Sequence, residues 1–275
     1  MRTPTVSVCI PAYQGGATIG AAIDSVLAQS FGDFELHVLD DGSTDDTEHQ
    51  VRLRRDDRLH YRRHDRNLGP QGNWNHCLAQ AQAPFVKLLP HDDLLHPHCL
   101  ARQVAVLQAD AGEQLALVAA ARDVIGPDGR VRLRARGFPG QGEGALSRDA
   151  VLRGCLRHGT NVLGEPGAVL FRRSAARAAG GFDASLPYVI DLDYWLRLLQ
   201  HGQAWYCAEA LASFRVWKGS WSVAIGSGQA ADFRALLEPA AAQAGLQATP
   251  LERLRWRLMP AVNALARQLF YRLVL

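Results

Sequence analysis

Two apolar runs in the first hundred residues end alike: FELHVLDD (residues 34–41) and PFVKLLPHDD (residues 84–93) both close on adjacent aspartates. Neighbouring carboxylates repel, and taking each out of water costs several kcal/mol unless a cation or good donors compensate. Such a pair is either solvated on a turn or holding something positive. Between these runs lie helical patterns. ATIGAAIDSVLAQS carries Ile19, Ile23, Val26 and Leu27 on one face, and GNWNHCLAQA spaces Trp74, Cys77, Leu78 and Ala81 in the same way. TVSVCI, ended by Pro11, and LHYRRH read as further strands. Strands alternating with helices predict βαβ units and a parallel sheet, whose ligands bind beyond the carboxyl ends of the strands. Both acidic pairs fall there.

Past residue 100 the alternation loosens. CLARQVAVLQAD reads as a helix, LALVAAARD as a strand, and GPDGR as a turn before VRLRARG. The arginines at 130, 132, 134 and 136 fall on one face of that strand, which reads as a solvated edge that resists aggregation, with an anionic-substrate or lipid-facing role as the alternative. SRDAVLRGCLRHG and SAARAAGG read as short helices around the strand PGAVLFRR, and DLDYWLRLLQHG as a stronger helix ended by Gly202. The tail from Pro250 to Leu275 combines regularly spaced leucines with five arginines and one glutamate, interrupted at Pro260. Such a basic amphipathic segment docks either on the core or on an anionic membrane surface.

Composition narrows the function classes. Lys and Arg exceed Asp and Glu by 30 − 27 = 3 over 275 residues, too small a surplus for a nucleic-acid binder without a clustered patch. The five cysteines are scattered and form no C-x-x-C pair, which fits a reducing compartment. No uncharged run approaches the roughly 20 residues of a membrane span, and MRTPTVSVCIPAY has no long apolar stretch of the signal-peptide kind. The expected location is cytoplasmic, with peripheral attachment to a membrane as the variant. A dinucleotide fold is a competitor, but Gly15, Gly16 and Gly20 do not make G-x-G-x-x-G, because Ala17 interrupts the pattern. No G-x-x-x-x-G-K-[ST] loop occurs either. The first strand ends instead in PAYQGG, where Tyr13 offers a flat face with a polar tip.

VSVCIPAYQGGATIGAAIDSVLAQSFGDFELHVLDDGSTDDT, followed by NLGPQGNWNHCLAQAQAPFVKLLPHDD, resembles the nucleotide-binding half of the inverting family-2 glycosyltransferases of the GT-A fold. The likeness continues through GEPGAVLFRR, GGFD and DLDYWLRLLQHG, covering most of residues 5 to 217. It implies an α/β fold with a Rossmann-like half and a mixed, mainly parallel sheet flanked by helices. The implied division is a GT-A domain over 1–217, made of a nucleotide-sugar half (1–98) and an acceptor half (99–217), followed by a helical extension over 218–275.

The resemblance also implies roles. Pro11 and Tyr13 would frame the base of a nucleotide-sugar, most naturally a UDP-sugar, Asp41 would accept a hydrogen bond from that base, and Asp40 would serve the same pocket or orient the turn. Asp93 would bind Mn²⁺ or Mg²⁺, with Asp92 on the ribose or a metal-bound water. Asp191 would be the general base toward a glycan or lipid-linked acceptor, in surface-polysaccharide assembly. Asp193, two residues on, is expected to raise the pKa of that base. Glu165 falls in a loop that faces the acceptor cleft in relatives.

The chain departs from the family pattern in three places. PHDD stands where DADD or DSDD is frequent, Ile190 replaces a frequent glutamate, and Trp217 replaces the metal-binding histidine of an R-x-H element, so that Trp217 or Trp221 would offer an aromatic platform for a sugar instead. His91, His96 and His98 beside the second acidic pair read as surface or supporting histidines, not a zinc site. The Q-x-x-R-W element of processive synthases is absent, which points to transfer of one sugar. The competing readings are a catalytically silent nucleotide-sugar-binding protein and, further off, an NAD-dependent oxidoreductase.

Overall fold

The computed structural model describes residues 3–224 and 228–275. Its first half realises the alternation. β1 (Val6–Ala12), β2 (Phe34–Asp40), β3 (Leu59–Arg63) and β4 (Phe85–Leu88) run parallel in the order β3-β2-β1-β4, linked by α1 (Ile19–Leu27), α2 (Thr47–Arg52) and α3 (Gly69–Gln80). All seven residues of β1 are buried, as suits a parallel strand covered on both faces. Register places Ala12 beside Asp40 and Cys9 beside Leu88, so the three strands feeding the candidate motifs end along one edge.

A parallel sheet, as alternation alone predicts, is only half of what forms. After β5 (Leu94–Leu95) and α4 (Cys99–Ala109) come β6 (Leu115–Ile125), β7 (Val131–Arg136), β8 (Gly144–Leu146) and α5 (Arg148–His158). β9 (Val169–Arg172) then slots between β4 and β6, antiparallel to both. The outcome is one mixed ten-stranded sheet, the architecture that the family resemblance implied. α6 (Arg173–Ala179) and α7 (Ile190–Leu198) lead to β10 (Gln203–Arg215). This 13-residue strand had no clear signal, because its pairing with β6 shifts register three times and breaks the alternation.

The core beneath the second half is aromatic. Trp195, Tyr194, Phe171 and Phe182 are buried together, and Trp195 Nε1 donates to the Gly164 carbonyl at 3.1 Å. Lys87 is fully buried, its Nζ donating to Gln103 Oε1 and the Val169 carbonyl, and burial lowers its pKa. All five cysteines are free and buried.

β7 is exposed along its length and, among the described residues, pairs only with β6. Arg130 falls before the strand, and the three arginines within it, Arg132, Arg134 and Arg136, do not share one face throughout. Between the pairs Val124–Leu133 and Arg122–Arg136, two residues of β7 (Arg134 and Ala135) oppose one of β6 (Asp123), and Ala135 takes φ 46°, so a bulge interrupts the alternation before Arg136.

Beyond α8 (Trp221–Ala224), α9 (Gln229–Gln243) and α10 (Pro250–Val274) close the chain. Thr249 and Glu252 form a reciprocal capping box at the start of α10. The interruption expected at Pro260 does not occur, and the helix runs 25 residues with the proline inside. Pro260 is buried on Gly159, the left-handed C-cap of α5, where an added Cβ would sit 2.4 Å from the Met259 backbone.

Candidate active site

The nucleotide-side residues sit where β1 and β2 end. Pro11 is buried within β1, while Tyr13, just past the strand, is 48% exposed. Gln14 follows at φ 52°, and this left-handed residue is fastened by its N–H to Ser43 Oγ and by its Oε1, which accepts from the N–H groups of Thr44 and Asp45. The QGG turn is thereby tied to the DDGSTDD turn: Gly15 N–H donates to Thr47 Oγ1 and Gly16 N–H to Asp45 Oδ2. Neither Asp40 nor Asp41 caps α2, whose N-cap position is Asp46.

The two aspartates divide the work. Asp40, with no exposed surface, accepts from Ser43 N–H at 2.8 Å on one oxygen and from the Tyr61 hydroxyl at 2.7 Å on the other. It fixes the turn. Asp41 takes the Leu68 N–H on Oδ1 at 2.7 Å, and among the described residues no hydrogen bond reaches Oδ2. Because Tyr61 is the only donor to the second oxygen of Asp40 among the described residues, Tyr61→Phe is expected to destabilise the fold by about 1–3 kcal/mol, the cost of a buried acceptor left unmet. Chemical denaturation with fluorescence detection measures this, and an unchanged midpoint would mean that Tyr61 is not holding the turn.

The second acidic pair is built by two distant strands. β10 brings Arg215 and Trp217 to the loop after β4. The Arg215 N–H donates to Asp93 Oδ1 at 2.8 Å, its Nε donates to the Asp92 carbonyl at 2.8 Å, and Trp217 Nε1 donates to Asp92 Oδ2 at 2.8 Å. Asp93 is 1% exposed, and burial followed by the charge of Asp92 holds its carboxyl well above the usual range. Asp92 is half-buried and the more open of the two. Trp217 is thus engaged with an acid through its N–H, and its ring lies over Gly219, where a Cβ would come within 2.4 Å. The three histidines diverge: His91 meets Thr18, His96 meets Ser213, and His98 meets Ser30. Among the described residues no group of three or more histidine, cysteine or acidic side chains is placed to hold a metal by itself.

A cavity of about 360 Å³ opens beside these acids, lined by Asp92, Asp93, Arg122, Glu165 and Asp191, with Arg136 at its wall. Asp41 is not among its lining residues; it sits at the neighbouring strand end. Asp191 occupies the first turn of α7, whose N-cap position is Val189. Oδ1 accepts from Leu192 N–H at 2.7 Å and Oδ2 from Asn161 Nδ2 at 3.1 Å. Burial, then the charge of Glu165, raises its pKa to about 7 against those donors and Arg122. The raising charge is Glu165, not Asp193, which turns to Arg197 with contacts of 2.8 and 2.9 Å. Glu165 itself is clasped by the buried Arg122 guanidinium through contacts of 2.5 and 3.1 Å.

Sequence reading missed Arg122, Asn161, Gln14 and the Trp217–Asp92 contact. Gln14 had a local signal, since it stands between Tyr13 and a double glycine. The others depend on the pairing of β6 and β10 and on the 161–164 loop, which no spacing rule reports.

Residues 7–179 match the profile described as Glycosyl transferase family 2, and the chain belongs to that family. It is 36% identical over 206 residues to the uncharacterized protein MT1568 of Mycobacterium tuberculosis, covering 71% of this chain and 62% of that protein. It is also 36% identical over 129 residues to the succinoglycan biosynthesis protein ExoO of Rhizobium meliloti, covering 47% of this chain and 36% of ExoO. The chain thus spans less than two thirds of either relative. In fold it is similar to S. aureus TarS crystallised with UDP-GlcNAc, at a TM-score of 0.67 and 18% identity over 91% of this chain and 69% of that one. The fold is that of the GT-A glycosyltransferases.

Proposed function

We propose that the protein transfers one sugar from a nucleotide diphosphate donor, most naturally a UDP-sugar, to a glycan or lipid-linked acceptor in surface-polysaccharide assembly, inverting the anomeric configuration. The observation that carries this reading is the shared cavity: Asp191, poised near neutral pH, faces the same space as Asp92 and Asp93. An acceptor hydroxyl must lose its proton as it attacks the anomeric carbon, and a carboxylate that is partly ionised near neutrality is matched to that task. Attack from the Asp191 side, opposite the departing diphosphate, inverts the centre. The names of ExoO and TarS support the polysaccharide setting and the UDP-sugar donor.

Residues 1–98 serve as the nucleotide-sugar half, 99–217 as the acceptor half and 218–275 as the helical extension. Tyr13 offers its exposed ring to the base, with Pro11 fixing the strand end beneath, and Asp41 Oδ2 receives an N–H of the base. Asp40 orients the turn through Ser43 and Tyr61. The oxygen donors of Asp92 and Asp93 fit Mn²⁺ or Mg²⁺, which are held by one or two carboxylates together with substrate phosphates. Burial and then the charge of Asp92 lift the Asp93 pKa, and a cation would relieve the second of these. Asp93 would hold the cation, with its Oδ1 already met by the Arg215 N–H, and Asp92 would serve the ribose or a metal-bound water. A cation held there would supply neutralisation of the charge growing on the diphosphate.

Calorimetry with UDP, with and without Mn²⁺, and with NAD tests the reading. UDP should bind at least tenfold more tightly with Mn²⁺, and NAD should not compete. Metal-indifferent binding of NAD in preference to UDP would overturn it.

A further inference from the structure

The last helix has two working faces, and only one is used within the fold. The inner face of α10 buries Pro260 on α5, sends Asn263 Nδ2 to the His158 carbonyl, and places Arg267 over the Tyr188 ring with its centroid 5.1 Å away. Asn263, Ala266, Arg267, Phe270 and Tyr271 of that face also wall the cavity that holds Asp191.

The outer face carries Leu251, Leu254, Leu258, Val262, Leu265 and Leu269, with Leu273 closing the row, each between 51% and 87% exposed. Steps of three and four residues keep all seven within a stripe of roughly 100°, and 22 residues at 1.5 Å each extend it over about 33 Å. A continuous apolar row of this size on a surface marks an interaction site; single exposed leucines do not.

Charge selects what covers it. Residues 250–275 contain five arginines and one acid, Glu252, which is held by Thr249 in the capping box. Arg255, Arg257 and Arg272 are exposed along the edges of the stripe. Arg153 and Arg157 of α5 adjoin it, Arg153 reaching the Gln247 carbonyl and the Arg157 carbonyl receiving Arg255 Nε. A second copy of α10 laid on this face would set guanidinium against guanidinium, with hardly an acid to answer. A layer of anionic headgroups over acyl chains answers both the leucines and the arginines. Among the described residues no helix is long and apolar enough to cross a membrane, so the helix would lie in the interface.

We propose that α10 docks on the surface of an anionic bilayer through this leucine stripe, with its arginines at headgroup level. Its inner face then holds the Asp191 cavity against the membrane, where an acceptor with a lipid anchor would arrive. That last consequence rests on the transfer reading above; bilayer binding does not.

The test is cosedimentation of the full chain with vesicles of phosphatidylcholine containing phosphatidylglycerol, or of phosphatidylcholine alone. The protein should pellet with the anionic vesicles and at least tenfold less with the neutral ones. Leu254→Glu, Leu258→Glu and Leu265→Glu together should reduce anionic binding at least tenfold with an unchanged circular-dichroism melt, since all three side chains are solvent-facing. Arg257→Gln with Arg272→Gln should lower binding and weaken its salt dependence. Failure of the wild-type chain to pellet, or equal pelleting of the leucine variant, overturns the proposal. So does a concentration-dependent dimer in sedimentation velocity that the leucine changes dissolve without any vesicle binding, which would assign the face to a second copy. Loss of vesicle binding without loss of UDP binding would leave the transfer reading standing, and the reverse result would separate them in the other direction.

Discussion

Asp191→Ala is expected to lower sugar transfer by about 10²-fold or more, the scale of general-base loss, while UDP binding measured by calorimetry stays within a few-fold of wild type. The separation is geometric. Asp191 is held by Leu192 N–H and Asn161 on the α7 side of the cavity, whereas Tyr13 and Asp41 lie at the ends of β1 and β2. The base must be ionised to accept a proton, so the wild-type rate should fall on the acid side of about pH 7, roughly tenfold per unit well below it, and level off above. The same raised pKa acts on stability in the opposite sense. Folding favours the protonated form, so this group's contribution is fully present below its unfolded pKa and is lost as pH rises through about 7. Activity that rises with pH while stability declines over the same window is the combined signature. Transfer that survives Asp191→Ala would remove Asp191 as the base, and a protein that binds UDP without ever transferring sugar would be a nucleotide-sugar-binding protein of the same fold.

How much of this was legible in the sequence follows from how local each signal is. The acids of β2 and β4 were readable because an apolar strand followed by aspartates marks the carboxyl edge of a sheet, and Asp191 because it opens an amphipathic helix in a familiar element. Their partners were not. Trp217 was read as a sugar platform by its aromaticity, yet its nearest polar business is with Asp92, a contact created when β10 pairs with β5 and β6 and carries residue 217 back across 125 positions. β10 itself escaped because its bulges erase the two-residue period on which strand reading depends. Pro260 misled in the other direction. A proline inside a helix costs a hydrogen bond, but here the backbone at Met259 and Pro260 lies close against the Cβ-less Gly159, so tertiary contact overrides the local rule. The charge that tunes Asp191 was assigned to Asp193 by sequence proximity, whereas Glu165 acts from 26 residues upstream through the fold.

Arg122 and Glu165 form the pair through which that tuning can be tested, and their variants should move in opposite directions. Glu165→Gln removes the negative charge that disfavours an ionised Asp191, so the acid limb of the rate profile should shift to lower pH. Arg122→Met removes the compensating cation, leaves Glu165 facing Asp191, and should shift the limb to higher pH. Arg122→Met also abandons a carboxylate beside a buried position and the Arg136 carbonyl that Arg122 Nη1 now serves. Breaking one side of such a pair costs about 3 kcal/mol, the low end of the buried range because the Glu165 side chain keeps 27% of its exposure. For a chain of this size that is a fall in melting temperature of about 6–12 °C. Replacing both partners with methionine should recover much of that loss, since an apolar pair of similar volume carries no desolvated charge, yet it should not restore the wild-type pH profile. Stability and pH profile therefore separate. The fold tolerates the loss of the whole pair better than the loss of half of it, while the base needs both charges to titrate where it does. If both single variants shift the limb the same way, Glu165 and Arg122 are not what sets the ionisation of Asp191.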